Sequence, residues 1–185
     1  GMTWTPGMPM KGKSLEEMKA MLMNVPRIPQ TIPRARYVGA APASVDWATK
    51  DPACVDVVRD QASCGSCWAF SGVAEFSDRR CIAGKDAKRV QYSEQYVVSC
   101  DSIDMGCNGG YLGMVWKFLE STGTTTDACV PYTSGKSGKT GTCPSSCADG
   151  SKITTTKAIS HEDVATSVES IMNAVAEGPV TTGFT

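Results

Sequence analysis

Apolar residues recur with the spacing of an α-helix near both ends of this chain. Near the start, Ser14 and Glu17 form a capping box, and the apolar stripe that follows ends at Pro26. Near the other end, Thr166 and Glu169 form a second capping box. The two stripes, each predicting one amphipathic helix, are Leu15, Met18, Met21 and Leu22, and Val168, Ile171, Met172 and Val175.

Further elements are predicted between these two helices. An apolar series that begins at Ala69 and stops at Gly84 predicts a long buried helix. Ser93 is placed to cap a short helix, and another helix is expected at about residues 113–121. The β-branched residues within 153–159 predict a strand.

Composition limits the possible functions. The chain has 185 residues, of which 41% are hydrophobic, so it is about one domain long and can bury a core. Its net charge is −1, with 18 basic and 19 acidic residues spread along it, which argues against a nucleic-acid or anionic-membrane partner. No apolar run is long enough to span a membrane. Nine cysteines indicate an oxidising compartment, and the odd number suggests four disulfides and one reduced thiol.

The candidate chemistry lies in residues 61–70, which read Q-A-S-C-G-S-C-W-A-F. Cys67 falls in the first turn of the long predicted helix, where backbone N–H groups and the helix dipole favour a thiolate, the nucleophilic form of cysteine. Gln61 belongs to the preceding loop, and its side-chain amide can direct N–H donors at a carbonyl oxygen attacked by Cys67.

Other interpretations of Cys64 and Cys67 are a redox dithiol and half of a zinc site. A thioredoxin-like motif usually has a tryptophan before its first cysteine, whereas Trp68 follows the second one here. A zinc site would need a second C-x-x-C or a histidine pair, and the chain has one histidine. A nucleophilic Cys67 is therefore favoured, with no metal and no cofactor expected.

The run Cys64-Gly65-Ser66-Cys67-Trp68 resembles the active-site signature of papain-like cysteine proteases, the peptidase C1 family. The resemblance implies that Cys67 is the nucleophile and that Gln61 donates to the oxyanion. It also implies that Cys64 forms a structural disulfide and that Gly65 and Trp68 belong to the substrate-binding site.

A second segment extends the resemblance. Residues 106–111 read G-C-N-G-G-Y, which taken alone most simply indicates a turn. After a papain-like motif, the segment resembles the family's substrate-binding segment, in which Gly109 and Gly110 let a peptide backbone approach and pair. By the same resemblance, Gly183 lines the pocket for the substrate residue two positions before the scissile bond.

The cysteine pattern resembles that of the cathepsin B-like subfamily, particularly the C-x-x-x-C spacing at Cys143 and Cys147. The residues alone leave the disulfide connectivity open. The pairs that the resemblance implies, which leave Cys67 reduced, are Cys54–Cys81, Cys64–Cys107, Cys100–Cys143 and Cys129–Cys147.

The implied fold is papain-like α+β. Residues 1–40 are interpreted as a propeptide, residues 41–152 as the helical left domain with a disulfide-rich loop, and residues 153–185 as the start of a β-rich right domain. A flexible arm is the simpler interpretation of residues 1–40. The propeptide interpretation is favoured because residues 41–47, A-P-A-S-V-D-W, resemble the start of a mature cathepsin B-like enzyme. The propeptide is expected to inhibit its own enzyme and to be cut within residues 36–41.

Two features differ from cathepsin B. Residues 129–143 are short and contain no histidine, whereas cathepsin B carries a long occluding loop with a His-His pair. An open primed side and an endopeptidase preference are therefore expected. Residues 135–141, G-K-S-G-K-T-G, suggest a phosphate-binding loop only formally, because no strand-then-helix context is evident.

The second difference is that His161 is the only histidine, and it lies where the family has no catalytic residue. It is interpreted as a surface or loop histidine. The catalytic histidine and asparagine are expected beyond Thr185, so the chain is expected to be a truncated, inactive part of a zymogen.

The predicted whole protein is a monomeric cysteine endopeptidase that cleaves peptides and proteins through an acyl-enzyme, and it is secreted or lysosomal/vacuolar. One alternative is a non-catalytic, disulfide-rich peptide-binding module or pseudoenzyme. Another is redox exchange through Cys64 and Cys67, which fails if Cys64 is bonded to Cys107.

Overall fold

A computed structural model describes residues 12–20, 34–35, 40–55 and 58–183. Over these residues, the secondary structure is mainly helical with two very short strands. In chain order, the elements are α1 (Leu15–Ala20), β1 (Arg34–Ala35), α2 (Trp47–Lys50), α3 (Cys67–Ile82), α4 (Glu94–Cys100), α5 (Leu112–Ser121), α6 (Ser134–Ser137), β2 (Asp163–Val164) and α7 (Val168–Glu177).

Helix α3 is at the centre of the core, with α4 and α5 packed against it. The contact with α5 is close because of Gly72: a Cβ atom there would lie 2.6 Å from Val115 Cγ1. The sequence predicts that this helix stops at Gly84, and α3 ends at Ile82. Gly84 has a left-handed φ of +64°, which is common just after the end of a helix. The buried core residues are Cys64, Trp68, Ala69, Val73, Phe76, Tyr92, Val97, Val98, Cys107, Val115, Phe118 and Leu119.

Two of the predicted helix caps are confirmed. The N–H of Ser14 donates to Glu17 Oε2 at 2.6 Å, and the N–H of Glu17 donates to Ser14 Oγ at 3.2 Å, which is a capping box. Ser93 Oγ accepts from the N–H of Tyr96 at 2.9 Å at the start of α4. The predicted end of the first helix, including Pro26, lies outside the described residues.

The predicted cap of α7 is wrong by one residue. Ser167, not Thr166, has the extended backbone of an N-cap, and its Oγ accepts from the N–H of Ser170 at 3.2 Å. Both residues are good capping types, so the local pattern could not distinguish them. The apolar stripe that predicts this helix also points largely outward. Val168 is 73% exposed, whereas Ser170 and Ala174 are buried.

The strand predicted over residues 153–159 does not form. Thr156 alone pairs there, in an isolated antiparallel bridge with Thr124 whose two backbone hydrogen bonds measure 3.0 and 2.8 Å. β-branched residues suit an extended backbone, but a strand also needs a neighbour that supplies a ladder of partners. Among the described residues, Thr124 provides only one rung.

Two long-range connections tie the first part of the chain to the last. Strand β1 pairs in parallel with β2, with Arg34 opposite Asp163. The indole Nε1–H of Trp47 donates to the carbonyl oxygen of Val175 at 2.7 Å. Between these two anchors, residues 42–44 are exposed, whereas residues 36–39 lie outside the described part.

Four disulfides hold the loops, and they are the four pairs that the resemblance implies: Cys54–Cys81, Cys64–Cys107, Cys100–Cys143 and Cys129–Cys147. The last two secure a Thr-, Ser- and Gly-rich region that has little apolar surface to bury. In such a region, crosslinks replace much of the stability that a core would give.

Candidate active site

Cys67 is the first residue of α3 and the only one of the nine cysteines outside the four disulfides. It is half-buried. The position follows from the local sequence, because the apolar series that packs α3 into the core begins just after it. Backbone N–H groups at the start of this 16-residue helix favour the thiolate form of Cys67.

Gln61 lies in the loop that leads to this helix, and its side chain points back towards it. Gln61 Nε2 donates to the carbonyl oxygen of Cys64 at 3.0 Å, and the N–H of Cys64 lies 3.4 Å from the carbonyl oxygen of Gln61. The carboxamide is therefore held within three residues of Cys67 along the chain. The predicted oxyanion donor and the predicted nucleophile are thus brought to the same end of α3.

The glycine segment, residues 106–110, is attached to the same loop. The N–H of Gly65 donates to the carbonyl oxygen of Cys107 at 2.9 Å, and Gly65 forms a parallel bridge with Asn108. The Cys64–Cys107 disulfide reinforces this contact. The glycine segment, with Gly109 and Gly110, is therefore attached to the loop that leads into α3, and its pairing with a peptide stays a prediction.

Trp68 packs against this segment from the side of the core. Its side chain is fully buried, and its Nε1–H donates to the carbonyl oxygen of Gly106 at 3.0 Å. A Cβ atom at position 110 would lie 2.4 Å from Trp68 Cδ2, so only glycine fits there. The contacts of the Trp68 indole are therefore with Gly106 and Gly110 of the glycine segment, and its place in the substrate-binding site stays a prediction. Gly65 is also buried, and its observed bond is to Cys107.

Two buried carboxyl groups, which the sequence analysis did not select, hold the far end of the glycine segment. Asp104 Oδ1 accepts from the N–H of Tyr111 at 2.7 Å, and Asp101 Oδ1 accepts from the N–H of Ile103 at 2.9 Å. Burial, together with the nearby Asp101 carboxylate, raises the pKa of Asp104 to about 7. An Asp-x-x-Asp spacing before the glycines was the available signal, since aspartate often caps turns.

Gly183 returns to this region after α7. Thr181 Oγ1 donates to the carbonyl oxygen of Ser71 at 3.2 Å, one turn beyond Cys67 on α3. A Cβ atom at Gly183 would lie 3.4 Å from Leu112 Cδ1, at the start of α5. The chain after α7 thus contacts both α3 and the start of α5, and the role of Gly183 in a substrate pocket stays a prediction.

The 132–141 loop, defined by those residues, lies within the segment 129–143, which is short and contains no histidine. It contains α6 and is secured by Gln95, whose Oε1 accepts from the N–H groups of Thr133 and Ser134 at 2.8 and 2.9 Å. Helix α6 has four residues, and residues 127–133 directly before it form no strand, so the context of a phosphate-binding loop is missing, as the sequence analysis expects.

His161 lies in the loop before β2, in agreement with the loop half of the sequence interpretation, but it is not on the surface. Its side chain is only 10% exposed, and Nδ1 lies 2.7 Å from Glu120 Oε1. Its ring stacks on Trp116 with a centroid distance of 6.3 Å and an interplanar angle of 16°. These contacts attach the loop before β2 to α5, so the histidine has a packing role.

The redox alternative does not agree with this arrangement, because Cys64 is bonded to Cys107 and cannot form a dithiol with Cys67. In the described part of the chain, no group of three or more His, Cys, Asp or Glu residues is arranged to hold a metal ion. No helix within the described ranges has the length and apolar character needed to cross a membrane.

Comparison with known proteins agrees with the geometry. A family model described as "Papain family cysteine protease" matches residues 41–185. "Cathepsin B-like CP2" of Giardia intestinalis is 47% identical over 190 residues, covering 98% of this chain and 63% of that protein. "Cathepsin B-like CP3" of the same organism is 48% identical, covering 98% of this chain and 64% of that protein. The chain thus spans less than two thirds of the length of these curated relatives.

A solved structure, "proCathepsin B S9 from Trypanosoma congolense", matches with a TM-score of 0.81 and 23% identity. The match covers 91% of this chain and 63% of that one, and it shows that the fold is the papain-like α+β fold. The family model and the Giardia relatives establish that this chain belongs to the papain family of cysteine proteases and is cathepsin B-like within it.

Proposed function

We propose that this chain is part of a cathepsin B-like cysteine endopeptidase zymogen that cleaves peptide bonds through Cys67. The observation that supports this most directly is the position of Cys67. Eight cysteines are crosslinked, whereas Cys67 stays outside the disulfides, half-buried at the N-terminus of α3 and beside the Gln61 loop. A structural cysteine has no need of this position, but a thiolate nucleophile does.

In the proposed reaction, the Cys67 thiolate attacks the carbonyl carbon of the scissile bond. The negative charge that develops on the carbonyl oxygen is stabilised by N–H donors from the Gln61 side chain and the Cys67 backbone. Collapse of this intermediate expels the amine and leaves an acyl-enzyme, which water then hydrolyses. Gly109 and Gly110 hold the peptide in an extended conformation by backbone pairing.

The reaction also needs an imidazole that accepts the thiol proton and later protonates the leaving amine. His161 is committed to Glu120 and Trp116, so the proposal takes the imidazole from outside residues 1–185. The tests below therefore use the natural full-length protein wherever activity is measured.

The proposed propeptide is residues 1–40, acting as an intramolecular inhibitor. The pairing of β1 with β2 supports this, because it attaches the segment to a part of the chain beyond the candidate site in sequence. The exposure of residues 42–44 supports a cut nearby, within residues 36–41, since a protease needs an accessible backbone. The proposed mature unit begins with residues 41–152, followed by residues 153–185 as the start of the right domain.

An endopeptidase preference follows from the 132–141 loop. This loop carries no histidine that could anchor a terminal carboxylate, and Gln95 holds its base against α4. Its short length supports an open primed side. Four disulfides support a secreted or lysosomal/vacuolar location, because such crosslinks persist in oxidising compartments. In this proposal, the whole protein is a monomer that acts on peptides and proteins.

The test is peptide hydrolysis by the natural full-length protein after acidification. An internally quenched peptide blocked at both ends should be cleaved, whereas release of C-terminal dipeptides should be at least about tenfold slower. Cys67→Ser should abolish cleavage, and Gln61→Ala should lower kcat by about 10²- to 10³-fold. A wild-type protein that does not cleave the blocked peptide would contradict the proposal.

A further inference from the structure

The loop that carries Gln61 contains a strained residue. Ala62 has a φ of +50° and is the only non-glycine residue in the described part of the chain with a positive φ. Alanine is seldom found in this region, and such a conformation persists only where the surroundings impose it. The N–H of Ala62 donates to Asp60 Oδ1 at 2.8 Å, which fixes one side of the turn. On the other side of the strained residue, the carbonyl oxygen of Gln61 accepts a hydrogen bond from a second group.

That group is the hydroxyl of Tyr132. Tyr132 Oη donates to the carbonyl oxygen of Gln61 at 2.9 Å and lies 2.8 Å from Ser66 Oγ. Since the single tyrosine proton goes to Gln61, Ser66 is the donor in the second bond. Ser66 is fully buried and directly precedes Cys67. The two bonds therefore join the oxyanion loop to the helix end that carries the nucleophile, and hydrogen bonds in series strengthen one another.

The ring of Tyr132 is held as firmly as its hydroxyl. Phe70 contacts it edge-on, with ring centroids 4.8 Å apart. Gly135 packs so closely that a Cβ atom there would lie 2.8 Å from Tyr132 Cε1 and 3.1 Å from the carbonyl oxygen of Gln61. The carbonyl oxygen of Gly135 accepts from the N–H of Ser63 at 3.2 Å. The 132–141 loop thus packs against the Gln61 loop, and Tyr132 makes the central contact.

We propose that Tyr132 is a positioning residue for the oxyanion hole of the proposed peptidase. Through the Gln61 carbonyl and Ser66, its hydroxyl sets where the Gln61 side-chain amide lies relative to the backbone N–H of Cys67. Burial raises the pKa of Tyr132, which keeps the phenol protonated and able to donate. This inference rests on the proposed function, and it adds a residue that lies 65 positions from the nucleophile and touches neither substrate nor reacting atoms.

The test is Tyr132→Phe in the natural full-length enzyme, because phenylalanine keeps the ring packing and removes only the hydroxyl. We expect kcat to fall by about 10- to 100-fold while KM stays within twofold, since a displaced donor weakens the transition state but not peptide binding. A peptide aldehyde, whose tetrahedral adduct with Cys67 places its oxygen where the oxyanion forms, should lose affinity by a similar factor. Alkylation of Cys67 by a peptidyl epoxide, which builds no oxyanion on a carbonyl, should keep its rate within twofold.

Tyr92→Phe is the matched control. Tyr92 is buried, and its hydroxyl bonds to Asp86 and Arg80, away from the Gln61 loop. This variant should lower the unfolding temperature and leave kcat, aldehyde affinity and epoxide rate unchanged. Ser66→Ala is the second test, because it removes the other bond of Tyr132 and should lower kcat with KM unchanged. If Tyr132→Phe does not fold, the kcat of Ser66→Ala decides whether Tyr132 positions the oxyanion hole.

The outcomes separate this inference from the proposed function. An active wild-type enzyme in which Tyr132→Phe, or Ser66→Ala if the former does not fold, keeps full kcat would overturn the positioning role alone. An equal loss of aldehyde affinity and epoxide rate would also overturn it, because that result indicates general damage to the site. A wild-type protein that neither cleaves peptides nor reacts with the epoxide would overturn the proposed function and this inference with it.

Discussion

Asp104 accepts a hydrogen bond from the backbone N–H of Tyr111 at 2.7 Å, which ties a buried carboxyl group to the end of the glycine segment. Asp101 faces the same turn, and both residues are buried. Because the pKa of Asp104 is raised from 3.8 to about 7, the folded chain binds a proton that the unfolded chain releases between these values. The stability that this proton contributes is present at acidic pH and is lost as pH rises through about 7.

We therefore expect the free energy of unfolding to fall for wild type relative to Asp104→Asn as pH rises from about 4 to 7. Asparagine keeps an oxygen for the N–H of Tyr111 and stays neutral throughout. Urea unfolding at several pH values measures this difference. Burial also raises the pKa of Asp78 and Glu94, but both groups are present in the two proteins and cancel. Asp149→Asn, at an exposed position, is the control. Parallel pH curves for wild type and Asp104→Asn would contradict the account.

Gly110→Ala tests the contact between the glycine segment and Trp68. The new Cβ atom would meet the indole at 2.4 Å, and overpacking of this kind costs about 1–3 kcal/mol of stability. Trp68→Phe shortens the ring, so the double variant should lose less than the sum of the single variants. A double-mutant cycle in urea measures the coupling. Additive losses of unfolding free energy would show that residues 110 and 68 are not energetically coupled.

The Cys64–Cys107 disulfide should affect the site as well as stability. Replacing both cysteines with alanine removes a crosslink between residues 43 apart and should cost about 2–5 kcal/mol of unfolding free energy. In the natural full-length enzyme, KM should also rise, because the glycine segment loses its link to the Gln61 loop. Replacing Cys129 and Cys147 is the matched control. It should reduce stability without raising KM, and an equal rise in KM for both pairs would contradict this prediction.

His161 is expected to contribute to stability and not to catalysis. His161→Gln removes the stacking on Trp116 and weakens the bond to Glu120, so the unfolding temperature should fall. In the full-length enzyme, kcat and its pH dependence should stay within twofold of wild type. A loss of kcat by a factor of 10² or more, with KM unchanged, would instead identify His161 as the general base.

Features that depend on neighbours in the sequence were the most predictable. The caps at Ser14 and Ser93 follow from a hydroxyl and an N–H three residues apart, and the start of α3 follows from its apolar periodicity. The cap of α7 was placed at Thr166 instead of Ser167 because two adjacent hydroxyl residues satisfy the same local rule.

Apart from the four disulfides, which the family resemblance implies, features that depend on distant contacts were missed. The residues expected to form a strand around Thr156 have the right side chains, but only Thr124 pairs with them. Tyr132 lies 71 residues from Gln61, and no spacing rule connects a tyrosine to a carbonyl oxygen so far away. The face of α7 that packs is marked by the small residues Ser170 and Ala174, whereas the sequence pattern drew attention to the opposite, apolar face.

The central claim is that Cys67 is the nucleophile of a self-maturing peptidase. The most direct test is the intact mass of the natural full-length protein before and after acidification, with and without a peptidyl epoxide. The account predicts that acidified protein loses the segment up to a cut within residues 36–41 and then gains one label, which peptide mapping locates at Cys67. Protein that keeps its mass on acidification and never reacts at Cys67 would contradict the claim.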